Sequence, residues 1–159
     1  TQLAKLPDST TSCPKNVRIN DCVAMVHVAD VDAAEQFYAL LGFQCDSRYK
    51  REDGVTNFTG MNSGTARLFL TRASAPIIPS QQAVLFYMYS NDVNGLREHL
   101  LAEGLEDGGV PPGFRKRGDE GHMPERRACY RICHPFYMPE GELRVQDLDG
   151  YTLLIGQLG

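Results

Sequence analysis

One supersecondary pattern occurs twice in this chain, and it constrains the fold more than any other feature. Asp30 to Gly42 opens on a side chain that can cap a helix and closes on a glycine suited to the left-handed conformation of helix ends. Between them Val31, Ala34, Phe37, Tyr38 and Leu41 recur at helical spacing, and Asp32 adds negative charge to the first turn. Asp92 to Gly104 repeats the pattern at the same length, with Val93, Leu96 and Leu100 along one face. The two segments are offset by 62 positions. One unit has been used twice.

Strands surround each helix. Cys22–Val28 and Ala83–Tyr89 are apolar, β-prone runs that lead into the two helices. After the first helix, Phe43–Arg51, Val55–Met61 and Ala66–Arg72 read as strands, with turns at Glu52-Asp53-Gly54 and Asn62-Ser63-Gly64. The second half closes on a hairpin around Asp149-Gly150. The expected order is a polar N-terminal tail over 1–18, a first βαβββ module over 19–72, a proline-marked linker over 73–82 and a second module over 83–159. Treating Phe69 and Leu154 as equivalent gives an offset of 85 at that strand, which leaves roughly 23 residues inserted within about 106–140. Glycine, proline and charge make this insertion read as a long surface loop, a kind of segment that often carries function.

The 159 residues, 42% hydrophobic and 23% charged, suit one well-buried domain or two small fused halves. A formal net charge of -4 argues against nucleic acid, which selects basic surfaces. Arg115, Lys116, Arg117, Arg126 and Arg127 do cluster, but Asp119, Glu120 and Glu125 are interleaved with them, as in a solvated mixed-charge loop. No apolar run is long enough to span a membrane. The opening segment lacks the apolar core of a secretory signal and is expected to be a polar tail. Five cysteines (Cys13, Cys22, Cys45, Cys129, Cys133), odd in number and irregularly spaced, suggest a reducing, cytoplasmic setting rather than a disulfide framework. Asn57-Phe58-Thr59 fits a glycosylation sequon but falls within an expected strand.

The paired modules, with Val-x-Asp-Val then Phe-Tyr-x-x-Leu-Gly-Phe in the first and Asp-x-Asp-Gly-Tyr closing the second, resemble the vicinal oxygen chelate superfamily. That superfamily holds glyoxalases, bleomycin-resistance proteins and extradiol dioxygenases. The resemblance runs from about Asn20 to Gln157 and departs from the usual turn at Leu148, where proline is common. It implies an α+β fold in which two βαβββ modules form an incomplete barrel around a ligand cup. It also implies paired barrels, hence a homodimer. Metal-binding members supply one ligand from the first and one from the last strand of each module. Those positions match Val23, Phe69, Leu85 and Leu154 here. None of the four has a lone pair for a cation, so no metal and no other cofactor is expected.

Strand alternation indicates which side chains share the cup. Met25, His27, Arg67, Phe69, Tyr87, Tyr89 and Leu154 are the candidate ligand-binding residues, beside Thr71, Leu85 and Thr152. Such an apolar, aromatic surface suits an organic ligand, although the same residues could simply fill a core. His27 can be read as a base or ligand contact, or as a histidine satisfied within the barrel. Arg67 is a candidate for a carboxylate or phosphate, or an ordinary surface arginine. His122, Cys129, Cys133 and His134 invite a zinc site, but in a strand Cys129 and Cys133 would lie about 13 Å apart, too far to share an ion.

Two functions compete. One is metal-independent sequestration of a small aromatic or cationic molecule, as the resemblance to bleomycin-resistance proteins implies, with antibiotic resistance as a result. The other is a glyoxalase-like lyase or isomerase or a dioxygenase, with unorthodox metal ligands or metal-free with His27 as base. Whether the chain is an enzyme stays open. A small organic ligand is the expected partner, with neither nucleic acid nor membrane.

Overall fold

A computed structural model describes residues 14, 16–119 and 123–159. Cys13, Glu120 and His122 lie outside the described residues, as does most of the tail. The first module runs β1 (Ala24–Val28), α1 (Val31–Ala39), β2 (Gln44–Lys50), β3 (Thr56–Ser63) and β4 (Ala66–Arg72). Its sheet has the order β1-β4-β3-β2, with β1 and β4 parallel. The second module runs β5 (Leu85–Ser90), α2 (Val93–Ala102), β6 (Glu106–Asp107), β7 (Ala128–Cys129), β8 (Glu142–Gln146) and β9 (Thr152–Gln157). Its order is β5-β9-β8-β7-β6, with β5 and β9 parallel. The architecture is α+β, two open sheets built from a repeated unit.

Both helices start as their sequences dictate. The Asp30 side chain accepts from the Ala33 N–H, and the Asp92 side chain accepts from the Gly95 N–H. Each cap satisfies an amide that the helix itself leaves unpaired. Gly42 and Gly104 take φ of +91° and +94°, which side chains resist, so the chain turns out of each helix at the same point. The helix faces that carry Val31, Phe37 and Tyr38, and Val93 and Leu100, are buried. They join one core with Val26, Val28, Leu68 and Leu70 of the first sheet and Leu143, Val145, Leu153 and Ile155 of the second.

The ladders test the repeat directly. Met25 faces Phe69 across β1 and β4, and Tyr87 faces Leu154 across β5 and β9. Met25 and Tyr87 are 62 positions apart, so Phe69 and Leu154 occupy equivalent places. Several boundaries differ from expectation. The β1 ladder starts at Ala24 and the β5 ladder at Leu85, because the residues before them have no strand partner. Asn62 and Ser63 belong to β3, paired with Arg67 and Ala66, and the tight turn is Gly64-Thr65 instead. The insertion is more than a loop. It supplies β7, which pairs antiparallel with β8 and parallel with β6, displacing β6 to the sheet edge. Its Tyr130 is fully buried.

The β8–β9 turn joins the modules. The Asp147 carboxylate accepts from the backbone N–H groups of Asp149 and Tyr151 and from the Tyr38 hydroxyl on α1. Asp149 accepts from the Ala29 N–H just after β1, and the Tyr151 hydroxyl donates to the His27 carbonyl. Gly150 has φ +84° and lies so close to the Pro79 backbone that a Cβ would meet it at 2.5 Å. The Asp-x-Asp-Gly-Tyr motif is thus an intermodule clasp. Among the described residues no helix is long and apolar enough to cross a membrane.

Candidate functional site

Each sheet buries one face under the helices and leaves the other without a helix. On the second sheet, pairing registers align that other face in rows. One row is Tyr87, Leu154, Arg144, and then Tyr130, whose N–H bonds to the Arg144 carbonyl. The next is Tyr89, Gly156 and Glu142, and on the other side lie Leu85, Thr152, Gln146 and Ala128. The strict alternation Glu142-Leu143-Arg144-Val145-Gln146 sends leucine and valine to the core and the three polar residues to this face.

Those polar groups are unevenly satisfied. The Arg144 guanidinium lies 5.6 Å from the centre of the Tyr130 ring, and its Nε is buried with no hydrogen-bond partner among the described residues. The Gln146 Oε1 is buried and unpartnered too. Buried polar atoms of this kind are uncommon and call for a reason. The Tyr87 hydroxyl donates to Glu142 Oε2 at 2.7 Å, and the Tyr137 hydroxyl to Oε1 at 3.4 Å. Burial, then the neighbouring Glu142 carboxylate, holds both phenols above their ordinary pKa. Tyr87 and Tyr89 touch, with ring centres 5.4 Å apart.

The corresponding face of the first sheet is more apolar. Phe58 and Phe69 pack with ring centres 5.2 Å apart, beside exposed Met25 and Tyr49. Arg67 lies over Phe69 but already pairs with the Asp21 carboxylate. Register equivalence puts Phe58, Gly60 and Asn62 where the second module has Glu142, Arg144 and Gln146.

Between the modules runs a groove of about 840 Å³, lined among others by Leu41, Phe43, Arg67, Tyr87, Met88 and Tyr89. A smaller recess of about 310 Å³ is formed by His27, Tyr151 and the 73–78 stretch with Gln81 and Gln82. Of the seven candidates, Arg67, Tyr87 and Tyr89 thus meet in the groove, and His27 lies in the recess. Met25, Phe69 and Leu154 line neither; they sit on the helix-free faces. Glu142, Arg144, Gln146 and Tyr137 were not anticipated. The alternation along β8 was the available signal, but a polar strand face ordinarily means solvent.

The quartet Val23, Phe69, Leu85 and Leu154 offers no donor atom, so the residues at that place do not fit an ion. Among the described residues, no three His, Cys, Asp or Glu side chains converge. Cys129 is buried in β7, and burial lifts its thiol pKa to about 11. The Cys133 backbone forms an antiparallel β-bridge with that of Glu142, and His134 bonds through Nδ1 to the Pro139 carbonyl.

No family model and no curated protein sequence matches the chain. Solved structures do. A bleomycin-binding protein complexed with bleomycin superposes with a TM-score of 0.60 at 13% identity, covering 89% of this chain and 100% of that one. The copper(II)-bleomycin complex of the bleomycin-binding protein from Streptomyces verticillus gives 0.57 at 19% identity, covering 90% and 99%. A glyoxalase-related enzyme from Clostridium phytofermentans gives 0.64 at 10%, covering 91% and 98%. The chain therefore shares its fold with these bleomycin-binding proteins and with the glyoxalase-related enzyme.

Proposed function

We propose that this protein sequesters a small organic molecule, aromatic or cationic, by binding alone and without a metal. The observation that carries this reading is the conjunction of accessible aromatic rings with a few polar atoms that lack partners. Tyr87 and Tyr89 are 41% and 60% exposed at the groove, while Arg144 and Gln146 hold unpartnered polar atoms on the adjoining face. Ligand sites are mostly apolar concavities with a small number of convergent polar groups, and this face has that make-up. Two of the structurally similar proteins are described as binding bleomycin, which supports an antibiotic as the ligand class.

Two copies pair, in this reading, through the exposed apolar side chains of the helix-free faces, Met25, Tyr49 and Leu85. Four described cysteines with free thiols fit a cytoplasmic setting. The test is a thermal-shift titration of chelator-treated protein with metal-free bleomycin and a panel of aromatic amines, with elemental analysis of the same sample. Saturable stabilisation without stoichiometric metal is expected. Stabilisation that appears only after a divalent ion is restored would overturn the metal-independent reading and favour the lyase or dioxygenase alternative.

A further inference from the structure

Glu142 is out of place for a carboxylate. It is only 6% exposed, yet it forms no ion pair with any described Lys, Arg or His. Carboxylates are seldom buried so deeply unless a cation or several hydrogen bonds balance them. Here the balance is two tyrosine hydroxyls, from Tyr87 on β5 and Tyr137 in the insertion. An ionised carboxylate has about four acceptor sites, so two donors leave capacity unused. The nearest cation along β8 is Arg144, on the same face two residues away, but its guanidinium lies over Tyr130, one strand further on.

The surroundings are aromatic and half open. Tyr87, Tyr89 and Tyr137 are 41%, 60% and 53% exposed, and Phe136 stands edge-on to Tyr137 with ring centres 5.3 Å apart. Gly156 leaves the space beneath them to the Met138 sulfur and methyl and the Tyr87 hydroxyl, since a Cβ there would meet Met138 at 2.7 Å. Ring faces attract cations, and alkylated ammonium groups are held by clusters of such rings with a carboxylate.

We infer that Glu142, with Tyr87, Tyr89 and Tyr137, is the subsite for an organic cation, an ammonium or sulfonium group of the ligand. The inference rests on the small-molecule-binding reading and specifies the charge of what is bound. Glu142 supplies the counter-charge, and the tyrosine hydroxyls fix its orientation. The rings receive the alkyl groups around the cation. First-module equivalence is lost here, because Phe58 occupies the corresponding place, so the subsite exists once per chain.

Benzyltrimethylammonium, benzyl alcohol and benzoate form a suitable probe set, titrated by NMR into wild-type protein and Glu142→Gln. The wild type should bind the cation about tenfold more tightly than the alcohol and benzoate least, and the variant should lose that preference. Intermolecular NOEs in the wild type need no variant and should connect the N-methyl protons to the Tyr87 and Tyr137 rings. Equal affinity for cation and alcohol, or NOEs to residues away from these rings, would overturn the subsite while leaving small-molecule binding intact. Failure of all three probes to bind, with no response in the bleomycin titration either, would overturn both.

Discussion

The Tyr38 hydroxyl donates a 2.7 Å hydrogen bond to the Asp147 carboxylate, 109 residues further along the chain. Tyr38 is fully buried on α1 of the first module, and Asp147 is 1% exposed at the β8–β9 turn of the second. The corresponding turn of the first module is only Gly64-Thr65. The longer turn lets the second module reach across, so the Asp-x-Asp-Gly-Tyr motif serves cohesion between halves. Removing the hydroxyl by Tyr38→Phe leaves a buried carboxylate short of a donor and should cost about 1–3 kcal/mol. Urea denaturation checks this, and a change under 0.5 kcal/mol, roughly the level of a surface substitution, would show the bond to be dispensable.

Asp147 also predicts a pH dependence. Burial outweighs its three hydrogen bonds and raises its pKa from 3.8 to about 6. A carboxyl whose pKa is higher folded than unfolded binds more protons in the native state between those values. Its contribution to stability is therefore greatest at the acid end and declines as pH rises from about 4 to 6. Melting temperatures across that range should fall more steeply for wild type than for Asp147→Asn. Parallel curves would exclude Asp147 as the titrating group.

Gly150→Ala combines two penalties, a left-handed backbone at φ +84° and a new methyl against the Pro79 backbone. The atoms it would meet are the carbonyl oxygen, Cα and Cβ of Pro79, none of them the end of a flexible side chain. A loss of about 2 kcal/mol or more is expected, read from the denaturation midpoint. Gly54 is the control: its φ is +81° but nothing lies within 4 Å of its would-be Cβ, so Gly54→Ala should cost less.

Arg144→Met should behave oppositely. It removes a buried Nε that has no partner while keeping an apolar stem against Tyr130. Unfolding of the free protein should show the variant at least as stable as wild type, within the cation–π contribution of about 1 kcal/mol. A larger loss would make Arg144 a structural residue and remove it from the ligand face.

Leu85→Asp addresses pairing of the chains. Leu85 is 60% exposed at the edge of the second sheet, and an aspartate there would be desolvated in an interface. Light scattering should show a dimeric wild type and a shift of the variant toward the monomer mass. A monomeric wild type would sink the proposed assembly.

The fold was legible because both helices carry complete start and stop signals at one offset, from Asp30 to Gly42 and from Asp92 to Gly104. The same offset carried Met25 onto Tyr87, and the ladders then matched Phe69 with Leu154. The site was less legible. Counting only the first and last strands of each module overlooks β8, where insertion has changed the offset and Glu-Leu-Arg-Val-Gln resembles a solvated strand. Arg67 reads from the sequence either as an anion contact or as an ordinary surface arginine, and in the structure it pairs with Asp21. That pairing depends on a residue before β1, which strand alternation does not reach.

The two helix-free faces occupy equivalent places in the repeat and do not match. Glu142, Arg144 and Gln146 stand on one where Phe58, Gly60 and Asn62 stand on the other. A molecule spanning both would meet the Glu142 carboxylate at one end and the Phe58–Phe69 ring pair beside Arg67 at the other. Its head and tail would not be interchangeable: the duplicated scaffold has acquired a polarity, and an amphiphile could enter it only one way round.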